Sequence, residues 1–150
     1  MKKFFIIIFA CFVSDLCYSQ LLEGQWQGSY STDLAGLEIG ESLIELNFRL
    51  IGDTSYQIYS YSTGENTKGD KVRVTAKVYY KLISKDSIYL EEIEDLEPPD
   101  AKPMCFQKML LRITKKKKRI ILEGTWTSDS TNNALQNCNI SGKIKFQRKD

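Results

Sequence analysis

The chain has 150 residues, of which 42% are hydrophobic and 27% are charged, with 21 lysines and arginines against 19 aspartates and glutamates. This near-neutral balance lacks the strongly basic character that marks most nucleic-acid-binding proteins, so no nucleic-acid partner is expected. The sequence contains no histidine. It therefore lacks the most common general base of hydrolases and the most common metal ligand.

Residues 1–19 have the three-part plan of a secretory signal peptide. Lys2 and Lys3 form a positive start, residues 4–13 are apolar, and a short polar stretch ends at Ser19. The apolar run is shorter than the roughly 18–20 residues of a membrane-spanning helix, so a retained anchor is the weaker alternative. The sequence predicts a secreted or periplasmic protein without a membrane span in its mature chain.

Lipid attachment at Cys11 would cut the apolar run in half, and we do not expect it. Cleavage after Ser19 leaves residues 20–150, a length that suits one domain.

Two cysteines, Cys105 and Cys138, belong to this mature domain. An even pair in an oxidising compartment favours a disulfide, which would close a loop of about 34 residues and stabilise the fold by ~4 kcal/mol. A free thiol pair and half of a zinc site are the alternatives. Because the chain offers no histidine and no further mature cysteine, a zinc site would have too few good ligands, and no metal or cofactor is expected.

The mature chain alternates between apolar and polar residues with the period of two that is typical of half-buried strands. The predicted strands, in chain order, are 23–32, 41–51, 55–62, 71–83, 87–93, 105–114, 119–128 and 140–149. No window shows a helical period. The fold class is therefore predicted to be all-β.

The clearest strand is 71–83, in which the apolar residues share one face and the basic residues share the other. The alternation in this strand, in 41–51 and in 140–149 predicts the residues that line the interior. They are Ile44, Phe48, Val74, Val78, Tyr80 and Phe146.

The connections between these strands are of two kinds. Residues 52–54, 84–86 and 115–118 are short enough for tight hairpins, whereas 33–40, 63–70, 94–104 and 129–139 are longer. Short and long connections alternate. This predicts an eight-stranded antiparallel up-and-down barrel, sealed by hairpins at one end and ringed by four loops at the other. A two-sheet sandwich is the alternative, but it usually needs long crossovers.

The only two tryptophans lie in a repeated phrase, "LEGQW" at 22–26 and "LEGTW" at 122–126. Glycine is suited to a sharp bend or to a close approach between backbone and ring. We therefore predict structural roles for Gly24 and Gly124, and core positions for Trp26 and Trp126 inside one barrel.

The pairing of Gly24-x-Trp26 on the first strand with Arg148 on the last resembles the lipocalin-like (calycin) barrels. This resemblance implies that Trp26 closes one end of the barrel and that Arg148 packs across the ring, a cation–π contact of ~0.5–2 kcal/mol. The mature chain also resembles small uncharacterised secreted proteins of Bacteroidetes-type bacteria. They share the early G-x-W, the late L-x-G-x-W and a cysteine before the closing strand. The likeness implies a fold and does not imply a function.

Charge is expected to divide between the two ends of the barrel. The hairpin end would hold Lys85 and the basic run 115–119. The loop end would hold the acidic residues Asp33, Glu38, Glu41, Glu65, Glu94, Asp95, Glu97 and Asp100. Adjacent strand residues face opposite sides, so the doublets Glu91-Glu92 and Glu94-Asp95 are interpreted as a solvated rim and not as catalytic pairs.

These patterns predict that the protein is a non-enzymatic binding module, because the sequence shows no credible set of catalytic residues. The first hypothesis is a small apolar ligand in the barrel interior. The second is a protein-interaction or enzyme-inhibitor module that engages a basic partner through the acidic loop end. A self-association patch of Tyr59, Tyr61 and Tyr79 on the outside is a further possibility. A hollow interior would support the first hypothesis, whereas an interior filled by side chains would exclude a ligand there.

Overall fold

The computed structural model describes residues 21–34, 37–51, 55–65, 67–97, 105–116, 119–128 and 138–149. The strands are β1 (Gly24–Leu34), β2 (Leu37–Ile51), β3 (Ser55–Glu65), β4 (Lys71–Ser84), β5 (Ser87–Glu97), β6 (Gln107–Lys116), β7 (Arg119–Ser128) and β8 (Ile140–Arg148). They form one closed antiparallel barrel in which each strand pairs with its neighbours in sequence and β1 pairs with β8. The predicted eight-stranded, all-β, up-and-down barrel is confirmed. In the described ranges, no helix has the length and apolar character needed to span a membrane.

The alternating sequence of β4 shows why these segments become strands. Val74 and Val78 turn inward and are buried, whereas Arg73 and Lys77, on the opposite face of the same strand, are exposed. Successive side chains on a strand point to opposite faces, so a period of two gives one apolar and one polar surface. The apolar surfaces of eight such strands enclose a single core, and closure removes the exposed sheet edges.

The register between the first and last strands closes the barrel. Gly28 pairs with Phe146 and Tyr30 pairs with Ile144. We call the end with the β2–β3, β4–β5 and β6–β7 connections the hairpin end, and the opposite end the loop end.

The predicted loop between the first two strands, residues 33–40, is wrong. β1 continues to Leu34 and β2 already begins at Leu37, and these two residues pair with each other where a loop over 33–40 was expected. A register shift between Ser31 and Thr32 lets the two strands stay paired beyond that point. β3 also continues to Glu65 and leaves only residues 66–70 before β4, so the loop end has fewer long connections than the sequence predicted.

The seam between β5 and β6 is short. Pairing runs only from Ser87 to Glu91 on β5 and from Lys108 to Arg112 on β6. Nearer the loop end, the described part of β5 pairs with β4 alone, through irregular register steps. This seam therefore depends on side-chain contacts more than the others do.

Candidate functional site

Aromatic rings fill the hairpin half of the interior. The Trp26 and Phe48 ring centroids are 6.3 Å apart, those of Phe48 and Tyr56 are 5.8 Å apart, and those of Tyr56 and Tyr80 are 5.8 Å apart, all in edge-to-face geometry. Such pairs add about 0.5–1.5 kcal/mol each beyond the burial of their area. A continuous row of rings thus crosses the barrel.

The segment before β1 closes the hairpin end. Leu22 is fully buried, and its carbonyl accepts a hydrogen bond from Trp26 Nε1 at 2.9 Å. The Arg148 guanidinium lies with Cζ 5.5 Å from the Trp26 ring centroid and donates to the carbonyls of Leu21, at 3.1 Å, and Glu23. These contacts fasten the start of the chain to the last strand across the tryptophan.

Gly24 makes this closure possible. Its φ is +118°, a conformation that side chains of L-residues rarely adopt. A Cβ at this position would sit 3.5 Å from Arg148 Nε, an ordinary contact distance. The backbone conformation, and not a lack of space, is therefore what requires glycine.

Replacing Arg148 with alanine should lower the free energy of unfolding by about 1–2 kcal/mol, because a cation–π contact and two hydrogen bonds to carbonyls are lost. Arg148→Lys keeps the charge but not the planar fork, so it should recover only part of this loss. Urea denaturation would measure both changes. Equal stability of the alanine variant and the wild type would contradict the role of Arg148 in closure.

Trp126 lies in the same interior but near the loop end. It is fully buried, its ring centroid is 4.9 Å from that of Tyr30, and its Nε1 donates to the Ser31 carbonyl at 2.9 Å. A Cβ on Gly142 would meet the Ser31 carbonyl oxygen at 1.7 Å and Trp126 Nε1 at 2.8 Å, so glycine is required there for space. The tryptophans of the two similar phrases therefore lie near opposite ends of one barrel.

The six residues predicted to line a ligand pocket all face inward. Tyr80 is half-buried, and its hydroxyl accepts a hydrogen bond from the Tyr56 backbone N–H at 3.0 Å. The other five, Ile44, Phe48, Val74, Val78 and Phe146, are buried. The structure thus places these residues together, mostly against other side chains.

The interior leaves little room for a ligand. A cavity that admits a ligand leaves accessible area on the side chains that line it, yet many side chains here have none. The core side chains with 0% exposure are Trp26, Ile44, Leu46, Ile88, Leu90, Met109, Leu111, Leu122 and Phe146. An eight-stranded barrel holds either one small ligand or its own side chains, and in the described part of this barrel side chains occupy the interior.

One carboxyl group lies inside the barrel towards the loop end. Glu92 is only 7% exposed. Its Oε1 accepts a hydrogen bond from Ser60 Oγ at 2.5 Å, and its Oε2 accepts one from the Gln107 backbone N–H at 2.9 Å. Burial raises the pKa of Glu92 to about 7, and the charge of Asp95 adds to this rise, whereas the two hydrogen bonds oppose it. Burial also raises the pKa of Asp95.

The interpretation of Glu91-Glu92 as a solvated rim is wrong for Glu92. Glu91 does lie on the outer face, where its carboxylate is 3.6 Å from Lys108 Nζ and accepts a hydrogen bond from the Tyr89 hydroxyl at 3.0 Å. The sequence did contain a signal for the burial of Glu92, because Ile88, Leu90 and Glu92 alternate along β5 and share its inward face. Since both oxygens of Glu92 are bonded to the barrel itself, the residue joins β3, β5 and β6 where the β5–β6 pairing stops.

The predicted disulfide between Cys105 and Cys138 is present, with Cα atoms 5.5 Å apart. It joins the segments that precede β6 and β8, both at the loop end. The buried Cys138 also accepts a hydrogen bond from Ser128 Oγ through its carbonyl at 2.5 Å. The disulfide braces the rim of the barrel on the side where the β5–β6 seam is short.

The outer surface carries a groove of about 420 Å³ over β1 to β4, which we call the outer groove. Arg73 crosses it with Cζ 4.3 Å from the Tyr61 ring centroid and bonds Glu45 Oε2 at 2.8 Å. Lys149 bonds the other oxygen of Glu45 at 2.8 Å, and this bond is the main reason that the pKa of Glu45 lies below its ordinary value. Leu43, on the wall of the groove, is 64% exposed.

The tyrosines predicted to form an outer patch lie on the neighbouring strands β3 and β4. Tyr59 and Tyr61 are half-buried and Tyr79 is exposed. Tyr61 lines the outer groove. Self-association through these side chains stays a prediction.

Charge at the loop end is mixed. The described acidic side chains Asp33, Glu65, Glu94 and Asp95 are exposed there. Lys68 and Lys71 are exposed at the same end together with Asp70, so basic side chains offset part of the acidic charge there. The remaining predicted acids, whose side chains lie outside the described part, are Glu38, Glu41, Glu97 and Asp100.

The barrel has the strand number and closure expected for a lipocalin-like barrel. No protein-family model and no curated protein matches the chain. Among the residues that the structure describes, no three cysteine, aspartate or glutamate side chains are grouped so that they would hold a metal ion. The described residues thus form a closed barrel with side chains in its interior and a groove on its outer surface.

Proposed function

We propose that the protein is a non-enzymatic binding module that recognises another protein with the outer surface around its loop end. The observation that carries this proposal is the filled interior. Because the aromatic row and the fully buried aliphatic side chains occupy the barrel, a ligand inside would have to displace them. Recognition on the outside needs no such rearrangement.

The outer groove is the part of this surface whose composition best suits a protein partner. Tyrosine and arginine are enriched among the residues that dominate protein interfaces, and Tyr61 and Arg73 are stacked on each other here. The ion pair with Glu45 holds Arg73 in place before binding, so less side-chain entropy is lost on association. Leu43 adds an exposed apolar contact beside them.

The acidic side chains of the loop end are part of the same proposed surface. Asp33, Glu65, Glu94 and Asp95 would complement a basic partner, such as the rim of a cationic hydrolase that an inhibitor blocks. Complementary charge mainly raises the association rate and selects the partner. Binding is therefore expected to weaken as salt is raised.

As part of this proposal, the protein is secreted or periplasmic. This location is supported by the signal-like residues 1–19 and by the disulfide, which persists in an oxidising compartment. The likeness to uncharacterised secreted proteins of Bacteroidetes-type bacteria rests on the early G-x-W, the late L-x-G-x-W and Cys138 before β8.

Photo-crosslinking in the host tests this proposal. A photoreactive amino acid at position 43 should give a discrete protein adduct. The same group at Leu110, which is also exposed but lies on β6, should not. Native mass spectrometry of the protein purified from its host should then show a stoichiometric protein complex. A small molecule retained in place of a protein would overturn the proposal.

Replacing Arg73 with alanine should weaken the captured complex by about 30-fold, the effect of truncating an interface residue worth ~2 kcal/mol. Folding should be unchanged, because Arg73 is exposed. Lys77→Ala is the matched control, since Lys77 is an exposed cation on the same face with only a 3.9 Å contact to Glu94. Similar losses in both variants would indicate a general charge effect instead of the groove.

A small apolar ligand in the interior is the second candidate. It is favoured by the residual exposure of neighbouring inward side chains on β4, since Tyr80 is only half-buried and Val74 and Val78, at 4% and 6% exposed, are slightly less buried than most of the core. A ligand there would have to move these side chains aside. Saturable binding of a fluorescent fatty acid, lost in Val78→Trp, would support this function over the first.

A further inference from the structure

The hairpin end exposes aliphatic side chains. Leu82 and Ile83, near the end of β4, are 48% and 54% exposed, and Ile51 at the end of β2 is 51% exposed. Ile88, which pairs with Leu82 across the same hairpin, is fully buried. The exposed residues thus lie where the hairpins extend past the core, a position in which adjacent aliphatic side chains often mark an interaction site.

The same hairpins are strongly basic. The β4–β5 and β6–β7 hairpins touch each other, since the Ile113 backbone N–H donates to the Asp86 carbonyl at 2.7 Å. We call residues 81–87, 112–116 and 119 the basic hairpin pair. Its cations are Lys81, Lys85, Arg112, Lys115, Lys116 and Arg119. Asp86 is the one acidic residue among these described positions.

We propose that the basic hairpin pair docks the barrel onto an anionic phospholipid surface, with Leu82 and Ile83 entering the boundary between headgroups and acyl chains. Two features of one surface carry this inference. Clustered cations are drawn to anionic headgroups, and aliphatic side chains among them gain by leaving water at the interface. A soluble polyanion would attract the cations and leave the aliphatic side chains in water.

Docking of this kind is compatible with the proposed function and goes beyond it. The hairpin end and the loop end are opposite ends of one barrel. A protein held by its hairpins would therefore keep its loop end turned away from the membrane. The barrel would bind as a peripheral protein, through side chains at its tip.

Vesicle flotation tests the inference. The purified protein should float with vesicles of phosphatidylcholine mixed with phosphatidylglycerol, should stay behind with phosphatidylcholine alone, and should be released by salt. Lys85→Ser with Lys116→Ser should lower the partition coefficient about 25-fold, since each cation near such a surface contributes roughly a factor of five. Lys143→Ser with Lys145→Ser is the matched control. It removes two exposed cations from β8 and should change binding less than about twofold.

The aliphatic residues are tested separately. Leu82→Ser with Ile83→Ser should weaken binding to the anionic vesicles, whereas Leu110→Ser, which removes an exposed leucine from the outer face of β6, should not. Full binding by the Leu82/Ile83 variant would overturn the lipid proposal, because cations alone would then explain the attraction. Equal binding to both kinds of vesicle would also overturn it. Circular dichroism should show native spectra throughout; if the double variant unfolds, Leu82→Ser and Ile83→Ser made singly decide. Weaker binding by either single variant supports insertion, and full binding by both contradicts it.

Discussion

Replacing Trp26 with alanine should lower the free energy of unfolding by about 3–5 kcal/mol, the usual cost of removing a buried tryptophan side chain. Trp26 is fully buried, stands edge-on to Phe48 at 6.3 Å, and donates to the Leu22 carbonyl at 2.9 Å. It is also the surface across which Arg148 lies. The substitution would open a cavity and release the segment that closes the hairpin end. Urea denaturation monitored by circular dichroism would measure the loss.

Trp126→Ala provides the matched control at the opposite end of the barrel. It removes an equally buried ring but leaves the closing segment 21–23 in place. Amide hydrogen exchange should therefore speed up at residues 22–25 in the Trp26 variant and stay slow there in the Trp126 variant. Trp26→Phe keeps a ring and loses the N–H donor, so its effect should be smaller. A loss below about 1 kcal/mol for Trp26→Ala, or unchanged exchange at the closing segment, would count against this account of closure.

The architecture could be predicted because it rests on local pattern. Alternation such as that of Val74, Lys77 and Val78 specifies a strand and its inward face without knowledge of its neighbours. The order of short and long connections then favours next-neighbour pairing and closure. The Cys105–Cys138 pair followed from counting alone, since residues 20–150 contain no other cysteine.

The repeated phrase in the sequence did not predict the roles of its glycines and tryptophans. The phrases ending in Trp26 and Trp126 are alike, yet Gly24 has a positive φ at the start of β1, whereas Gly124 lies inside β7. The indole of the first bonds a carbonyl four residues earlier, and the indole of the second bonds the Ser31 carbonyl on a strand far away in sequence. Tertiary neighbours decide these uses, and a five-residue phrase does not contain them.

The same limit explains the two errors. The connection at 33–40 was expected to be a loop because it separates the predicted strands 23–32 and 41–51, but the pairing of β1 with β2 extends into it after the Ser31/Thr32 register shift. Glu92 was assigned to a solvated rim together with Glu91, because adjacent strand residues face opposite sides and the doublet was therefore a poor catalytic pair. Its actual neighbours, Ser60 and Gln107, are 32 and 15 residues away, and only the closed barrel brings them to the carboxylate.

The buried position of Glu92 makes stability depend on pH near neutrality. Its pKa is about 7 in the folded protein, against an ordinary value of 4.5. Between pH 4.5 and pH 7 the folded chain keeps a proton that the unfolded chain releases. The contribution of the protonated group is therefore fully present below pH 4.5, falls as pH rises, and is lost above about pH 7. At ~1.4 kcal/mol per pH unit, the total decrease is about 3 kcal/mol.

Glu92→Gln should remove most of this pH dependence. The glutamine amide can accept from the Gln107 N–H and donate to Ser60 Oγ without carrying a charge into the core, so the variant should match wild type near pH 4.5 and be more stable near pH 8. Urea denaturation across this range measures both curves. Glu91→Gln is the control, because it removes a carboxyl from the outer face one residue away and should leave the slope unchanged.

A flat wild-type profile, or a Glu92→Gln profile with the same slope as wild type, would contradict a buried ionisation at this position. Asp95→Asn measures how much of the pH dependence of stability comes from Asp95. Burial raises the pKa of Asp95 too, and its charge raises the pKa of Glu92. If Glu92 is the main source, Asp95→Asn should shift the midpoint of the decrease to lower pH and leave most of its size. If the stability of Asp95→Asn no longer decreased with pH at all, the pH dependence would instead come from Asp95 at the rim of the barrel. Glu92 would then act as a neutral hydrogen-bonding link between β3, β5 and β6.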